Sequence, residues 1–378
     1  MNCEFKLPPD FDRQVLEAIL QRLNPPLSSA GYVPDRAVLT QALHVALWTS
    51  LLRDEGRAAT FTINLRPGTI PSRLIALEKS LPFTARQLAK ISTATTPDVS
   101  AVHVGPGAEG LEIFGIDSLL GNVSAVRIEV FAPGTVAVKV NDVTVAFVSG
   151  ETAELIDFDV YAKYFFAVES SPLERTPIDE RARRFFDLAR AMYRHGHGGT
   201  LLVLGAQAPA SPLANLGDSL EPHYLLRDAF HGLTEVEAEV VAISRAIQVA
   251  GSATEARDLF AQLQDAEILH LQYISGLART TAVDGATLVS RDGSLLAFGC
   301  KVVLTNTPRI QRRRPTAKVG SAVDLSDFGG TRHQSAARFV GRHAGSRAIV
   351  TSQDGKVSVL NHAGVDDVDC LEHAEWIF

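Results

Sequence analysis

Apolar residues along this chain change their spacing several times. From Phe11 to Leu23 they recur at helical intervals (Val15, Ile19, Leu20, Leu23), and the pattern stops before Pro25-Pro26. Arg36 to Arg53 predicts a second helix, and Phe61 to Leu65 alternates as a strand does. Pro71 to Ser92 reads as short helix and loop. From Ala101 the period falls to two. Val102–Val104, Leu111–Ile116, Val126–Ala132, Val136–Val140 and Val143–Val148 predict successive strands, with Pro133-Gly134 and Asn141-Asp142 at tight turns. That is an antiparallel meander behind a helical start. Glu151 to Phe166 mixes apolar and acidic residues without a clear period. Two prolines and several polar residues in Ser170–Pro177 mark a domain boundary, giving an N-terminal α+β domain over 1–172 and a second domain over 178–378.

The second domain opens with a helix, Ile178 to His195, whose apolar face holds Phe185, Phe186, Leu188, Ala189 and Met192. Glycines at 196, 198 and 199 end it, and Thr200–Leu204 is an apolar strand of the fully buried kind. Ala206–Leu226 reads as a Pro- and Ala-rich loop, and Thr234–Val249 and Ala253–Leu277 as helices. Two hairpins follow. One joins Thr287–Ser290 to Ser294–Phe298 through Arg291-Asp292-Gly293, and the other joins Ala348–Ser352 to Lys356–Leu360 through Asp354-Gly355. Asp-Gly between apolar runs is a strong hairpin signal. Between them lie a long polar loop, Thr305–Phe328, and a helix that opens at Gly330-Thr331. The fold class expected is α/β, with a mixed sheet flanked by helices in the C-terminal domain.

Composition narrows the function classes. Of the 378 residues, 46% are hydrophobic and 21% charged, which suits a globular chain with a real core, and the length suits two domains. A formal net charge of −7 argues against non-specific binding to nucleic acid or to anionic membrane. Cys3, Cys300 and Cys370 are scattered and lack zinc spacing, so a reducing cytoplasm is the simple expectation. The first residues carry Glu4, Asp10 and Asp12 and do not read as a signal peptide, and no segment approaches the roughly 20 apolar residues of a membrane span.

Several motifs are decoys. Gly105-Pro-Gly107-Ala-Glu-Gly110 fits G-x-G-x-x-G, but the next segment is a strand, so no helix dipole faces a pyrophosphate and a hairpin loop is expected. Gly217-Asp-Ser219 resembles a lipase nucleophile block without its partners. His195-Gly-His197 lacks a third ligand at metal spacing and reads as a solvated helix end. Arg309 and Arg312 to Arg314, between Pro308 and Pro315, read as a solvated loop, with a flap over phosphates as the alternative.

Two short blocks carry the candidate chemistry. In Asp284-Gly285-Ala286 a carboxylate at a strand start, able to hold a divalent metal, is followed by a glycine that leaves room for a ligand against the backbone. In Gly330-Thr331-Arg332-His333-Gln334 a glycine leads into a helix whose free N–H groups and dipole favour an anion. Thr331 is expected to cap that helix, Arg332 to pair with a phosphate, and His333 to add a donor. Singly, each block reads as an ordinary turn or helix start.

Together, in this order and context, the blocks resemble the diadenylate cyclase (DAC) domain of the DNA-integrity-scanning DisA type, over about Arg181 to Leu360. That family carries Asp-Gly-Ala, a hairpin, then Gly-Thr-Arg-His-Arg opening a helix, then a strand pair near Ser-Glu-Glu. The resemblance implies binding of ATP with Mn²⁺ or Mg²⁺. Asp284 would be the metal ligand and would help activate the 3′-hydroxyl. Gly285 and Ala286 would border the nucleotide, Thr331, Arg332 and His333 would hold its phosphates, and Gly330 and Gln334 would complete the nucleotide-binding set. It also implies a face-to-face homodimer in which each 3′-hydroxyl attacks the partner's α-phosphate, giving cyclic di-AMP and two pyrophosphates. Asp284, Arg332 and His333 would be the catalytic residues. The chain departs from the pattern at Gln334, where the family has its second arginine, and at Thr351-Ser352-Gln353, where the family has Ser-Glu-Glu. The family's acidic turn after the helix is replaced by Gly341-Arg342-His343. These losses weaken metal and phosphate contacts and favour a binding-only sensor of an adenine nucleotide or cyclic dinucleotide. The retained residues favour an active cyclase. Both readings stay open on the sequence.

Overall fold

The computed structural model describes residues 16–21, 32–54, 57–66, 75–96, 99–108, 110–118, 126–140, 143–149, 152–165, 180–205, 216, 218–249, 251–316 and 319–378. The chain forms two units, one of Met1–Asp157 with Trp376–Phe378 and the other of Phe158–Glu375. The boundary expected at Ser170–Pro177, the Asn141-Asp142 turn and the start of the first helix lie outside the described residues, as does Gly217.

In the first unit, residues 16–21 are helical. Helix α1 (Arg36–Leu51) starts where the Asp35 carboxylate accepts the Val38 N–H at 2.8 Å, and it buries Leu39, Ala42, Leu43 and Ala46. It ends two residues before the expected Arg53. A two-residue ladder, β1 (Arg53–Asp54) with β2 (Arg57–Ala58), follows. The main sheet holds β3 (Phe61–Leu65), β4 (Ile75–Pro82), β5 (Ser100–Gly107), β6 (Gly110–Ser118), β7 (Val126–Ala132), β8 (Thr135–Val140), β9 (Val143–Ser149) and β10 (Thr152–Leu155), in the order β10-β9-β8-β7-β3-β5-β6-β4. The meander is β7 to β10, and among the described residues of this sheet only β3 and β5 pair in parallel. The Gly105–Gly110 motif is the expected hairpin, with Gly107 paired to Gly110.

Pro71–Ser92 differs from expectation. It contains a strand, β4, before helix α2 (Ala85–Ser92). β4 is exposed along most of its length, so no alternation betrays it.

Alternate residues of the sheet give two unlike faces. Ile63, Leu65, Val126, Ile128 and Val138 are fully buried on the apolar side, and α1 packs on β7 and β8. Asn64, His103, Arg127 and Lys139 line up across four strands and are buried as well. Asn64 Nδ2 donates to Asp117 Oδ2 at 2.7 Å, which Arg66 approaches at 3.7 Å. The chain returns to this unit at its end. The Trp376 ring stacks on Phe147 at 4.7 Å, and Thr144 Oγ1 donates to the Ile377 carbonyl at 3.3 Å.

The second unit begins with α3 (Phe158–Phe165) and α4 (Glu180–His195). Then come β11 (Gly199–Val203), β12 (Leu220–Phe230), α5 (Gly232–Val249), α6 (Ala253–Thr280), β13 (Ala286–Val289), β14 (Leu295–Val302), β15 (Arg309–Arg313), β16 (Val319–Val323), α7 (Thr331–Arg342), β17 (Arg347–Thr351), β18 (Val357–Gly364) and β19 (Asp367–Glu372). The nine strands make one mixed sheet in the order β12-β14-β13-β11-β17-β18-β19-β15-β16, with β11/β13 and β15/β19 parallel. This is the α/β class expected. Both predicted hairpins form, β13–β14 and β17–β18.

Two expected loops are partly strand. Residues 206–226 include the first half of β12, and residues 305–328 hold β15 and β16. The arginine run is therefore not a loop. Arg309 to Arg313 form an inner strand whose Ile310 is fully buried, and the charges of Arg312 and Arg313 are absorbed by carboxylates on β19. Arg313 Nε donates to Asp369 Oδ1 at 3.1 Å, and Lys163 on α3 donates to Asp369 Oδ2 at 2.6 Å. Burial pushes the Asp369 carboxyl up, but these two cations outweigh it and hold it below the usual range.

Helix α7 is fixed by its apolar stripe. Ala336, Ala337, Phe339 and Val340 are fully buried against Leu202, Leu288, Ala297, Ile310, Val350 and Leu360 of the sheet. Burying a side chain the size of Phe339 contributes about 1.5–3 kcal/mol. That packing sets where the first turn of α7 points.

Candidate functional site

The ends of several strands meet at one edge of the second sheet. β13 starts at Ala286 opposite Cys300 of β14, Cys300 stands opposite Pro222 of β12, and Thr351 ends β17 opposite Gly199 of β11. The first turn of α7 lies at this same edge, and two cavities flank it. One, of about 610 Å³, is lined by Gly329, Gly330, Thr331, Arg332 and His333 together with Ser352, Arg312 and Glu372. The other, of about 630 Å³, is lined by Asp284, Gly285 and Ala286 together with Thr331 and Arg332. The fold thus brings together the two blocks picked out in the sequence, although they lie far apart along the chain. Thr331 and Arg332 belong to both cavities.

Gly285 and Gly299 bring bare backbone to the wall of the Asp284 cavity. Gly285 has φ +101°, and a Cβ built on it would lie 2.6 Å from the carbonyl carbon of Gly299 on the neighbouring strand. Only glycine fits there. Asp284 is exposed, and its Oδ1 accepts the Gly285 N–H at 3.1 Å. Burial pushes the Cys300 thiol up to about 11, so it stays protonated at neutral pH.

Gly330, not Thr331, is the N-cap of α7, and it makes no side-chain capping bond. Thr331 is the first helical residue, which corrects the expected cap. Without a capping side chain, the first-turn amides of α7 are left to pair with an anion or with solvent. The Arg332 guanidinium lies beside the turn that follows α4. A Cβ on Gly198, at φ +69°, would come within 3.1 Å of Arg332 Nη1. His333 Nε2 is 3.2 Å from Ser358 Oγ, and burial lowers its pKa against the opposing pull of Glu372 and Asp354. Its ring is neutral at pH 7 and offers one N–H. Gln334 lines neither cavity, and its amide donates to the Gly329 carbonyl at 3.5 Å.

His195 and His197 pair locally. His195 Nε2 lies 3.2 Å from Thr281 Oγ1, and His197 Nδ1 lies 2.6 Å from the His195 carbonyl. Among the described residues, no group of three His, Cys, Asp or Glu side chains is arranged to hold a metal by itself. Asp284 supplies one oxygen donor. A Mg²⁺ or Mn²⁺ ion carried in by a polyphosphate asks the protein for only one or two carboxylates, so this donor set fits such an ion.

Residues 28–117 match the DACNV family, described as a probable sensor domain. The match falls within the first unit and covers less than half of the chain. No diadenylate cyclase catalytic domain is matched alongside it. No curated protein matches. Among solved structures, the chain is similar at 14% identity to one described as the hypothetical membrane spanning protein from Bacillus cereus, with a TM-score of 0.26. The alignment covers 50% of this chain and 63% of that one, so less than two thirds of that protein's length is spanned. No helix among the described residues is long and apolar enough to cross a membrane.

Sequence reasoning misses part of the cavity walls. His223, Tyr224 and Lys301 line the Asp284 cavity, and Arg312 and Glu372 line the other. Tyr224 stacks on Phe298 at 4.7 Å. In the sequence Tyr224 reads as loop, because its strand is exposed on both faces and shows no alternation. The arginine run is the signal for Arg312.

Proposed function

We propose that the second unit binds an adenine nucleotide or cyclic dinucleotide at the paired cavities around Thr331 and Arg332, and that the chain works as a sensor in nucleotide second-messenger signalling in the cytoplasm. One observation carries the reading: Asp284, Gly285 and Ala286 share a cavity with Thr331 and Arg332 at the uncapped start of α7. Helix amides, a guanidinium and a bare backbone wall suit a phosphorylated ligand. The probable sensor domain over residues 28–117, of a kind found with diadenylate cyclases, supports the sensing half of the proposal.

The second reading is an active diadenylate cyclase with Mn²⁺ or Mg²⁺, working as a face-to-face homodimer. Asp284, Arg332 and His333 support it. Such chemistry depends on charge held for the transferring phosphoryl group. Gln334 and Thr351-Ser352-Gln353 bring no charge there, and binding tolerates that loss better than turnover does.

The experiment is incubation of the protein with ATP and Mn²⁺, with products read by mass spectrometry, beside a thermal-shift series with ATP, AMP and cyclic di-AMP. The sensor reading expects a nucleotide-dependent rise in melting temperature that Arg332→Ala removes, and no product. Cyclic di-AMP formed by the wild type and lost in Asp284→Ala would make the chain a cyclase. Neither binding nor product would refute both.

A further inference from the structure

Of the arginine run in β15, one side chain turns into the site. Arg313 is spent in the sheet on Asp369, beside Lys163. Arg312 points to the other side of the strand and lines the cavity of Gly329–His333. Glu372 on β19 holds it in a two-point grip, with Arg312 Nε 2.7 Å from Oε1 and Nη2 2.7 Å from Oε2. That grip keeps Arg312 firmly protonated. It uses one edge of the guanidinium, which has five N–H donors, and leaves the Nη1 edge. The Arg312 side chain keeps 38% of its surface exposed, whereas Glu372 keeps 18%. A guanidinium fixed along one edge and open along the other, in a cavity that also holds helix amides and a second arginine, is preorganised for an oxyanion.

We propose that Arg312, oriented by Glu372, is a phosphate-binding residue of this site and selects adenine nucleotides with two or more phosphates. The inference rests on the nucleotide-binding reading above. Arg332 borders both cavities, but Arg312 borders only the one away from Asp284. A single phosphate at Thr331 and Arg332 is held without Arg312. A polyphosphate that runs on past Arg332 enters the cavity where Arg312 waits. Gln334 makes no such contact, since its amide is turned to the Gly329 carbonyl. Glu372 offsets much of the charge, so Arg312 acts as a directional donor and not as a bare cation.

The test is calorimetric titration of the full chain with ATP and with AMP. Arg312→Ala removes a charge-assisted hydrogen bond to phosphate, so it is expected to weaken ATP about tenfold or more and to leave AMP within about twofold. Arg312→Lys is expected to fall between, because an ammonium cannot hold Glu372 and a phosphate in the same fork. Arg312→Gln with Glu372→Gln keeps an amide pair in place of the ion pair. It is expected to match Arg312→Ala, and it decides the matter if Arg312→Ala unfolds. Equal weakening of ATP and AMP would mean a structural role and would overturn the proposal. So would ATP affinity within about twofold of wild type in the double variant while Arg332→Ala weakens it; the nucleotide reading would then stand alone. Binding of cyclic di-AMP without ATP would have the same meaning. A wild-type chain that binds none of these ligands would sink both.

Discussion

Replacing Gly285 with alanine is expected to destabilise the second unit by about 2–6 kcal/mol. Two costs add. The backbone at φ +101° is one that side-chain-bearing residues avoid, at about 1–3 kcal/mol. The new methyl would also lie 2.6 Å from Gly299 C, 2.9 Å from Cys300 N and 3.0 Å from Cys300 O. All three are backbone atoms of β14, so relief requires the strands to part, and overpacking of that kind costs about 1–3 kcal/mol. At about 2–4 °C per kcal/mol for a unit of this size, melting falls by about 4–24 °C. Gly276→Ala is the matched control. It sits in α6, and its added Cβ meets nothing within 4 Å, so the same chemical change is expected to raise melting by about 1–4 °C through helix propensity. Thermal unfolding followed by circular dichroism reads both. Gly285→Ala melting within about 2 °C of wild type would refute the tight backbone wall on which the Asp284 cavity depends.

Arg184 and Glu237 form a buried pair, with Arg184 Nε 2.8 Å from Glu237 Oε1, and Arg184→Ala is expected to cost about 3–5 kcal/mol in urea unfolding, while a joint change of both to apolar residues costs less. Phe339→Ala, which empties the fully buried face of α7, is expected to cost about 3–5 kcal/mol by the same assay. Burial lowers the pKa of His195, His333 and His343 below the ordinary 6.5. The unfolded chain then binds protons that the native state refuses, so stability falls as pH drops from about 7 to 5. Melting temperatures across that range should decline, and His333→Gln should make the decline shallower; a flat profile in the wild type would refute the assignment.

Elements with a local signature are legible in the sequence. The β13–β14 and β17–β18 hairpins announce themselves through Asp292-Gly293 and Asp354-Gly355, and α7 through Gly330-Thr331. The elements missed have their reasons elsewhere in the chain. β15 looks like a solvated basic run because four of its five residues are polar, and the carboxylates that take up Arg312 and Arg313 lie on β19, some 56 to 60 residues away. β4 and β12 are exposed along most of their length and carry no alternation to read. The candidate site follows the same rule. Its two contiguous blocks are visible and the arginine run marks Arg312, whereas His223, Tyr224 and Glu372 come to it only through strand order.

The return of Trp376–Phe378 to the first unit bears on how the protein is made. A chain that leaves a unit at Asp157 and rejoins it at Trp376 closes a loop of roughly two hundred residues, at an entropic cost of about 5 kcal/mol if the loop is unstructured. Folding of the intervening unit removes most of that cost in advance, because its first helix is tied to its last strand through Lys163 and Asp369. On a ribosome, the first unit is therefore completed only after the second has been made. The sheet that begins the chain receives Trp376 and Ile377 only when synthesis has passed them. Loosening the Lys163–Asp369 tie should slow the maturation of a unit in which neither residue lies.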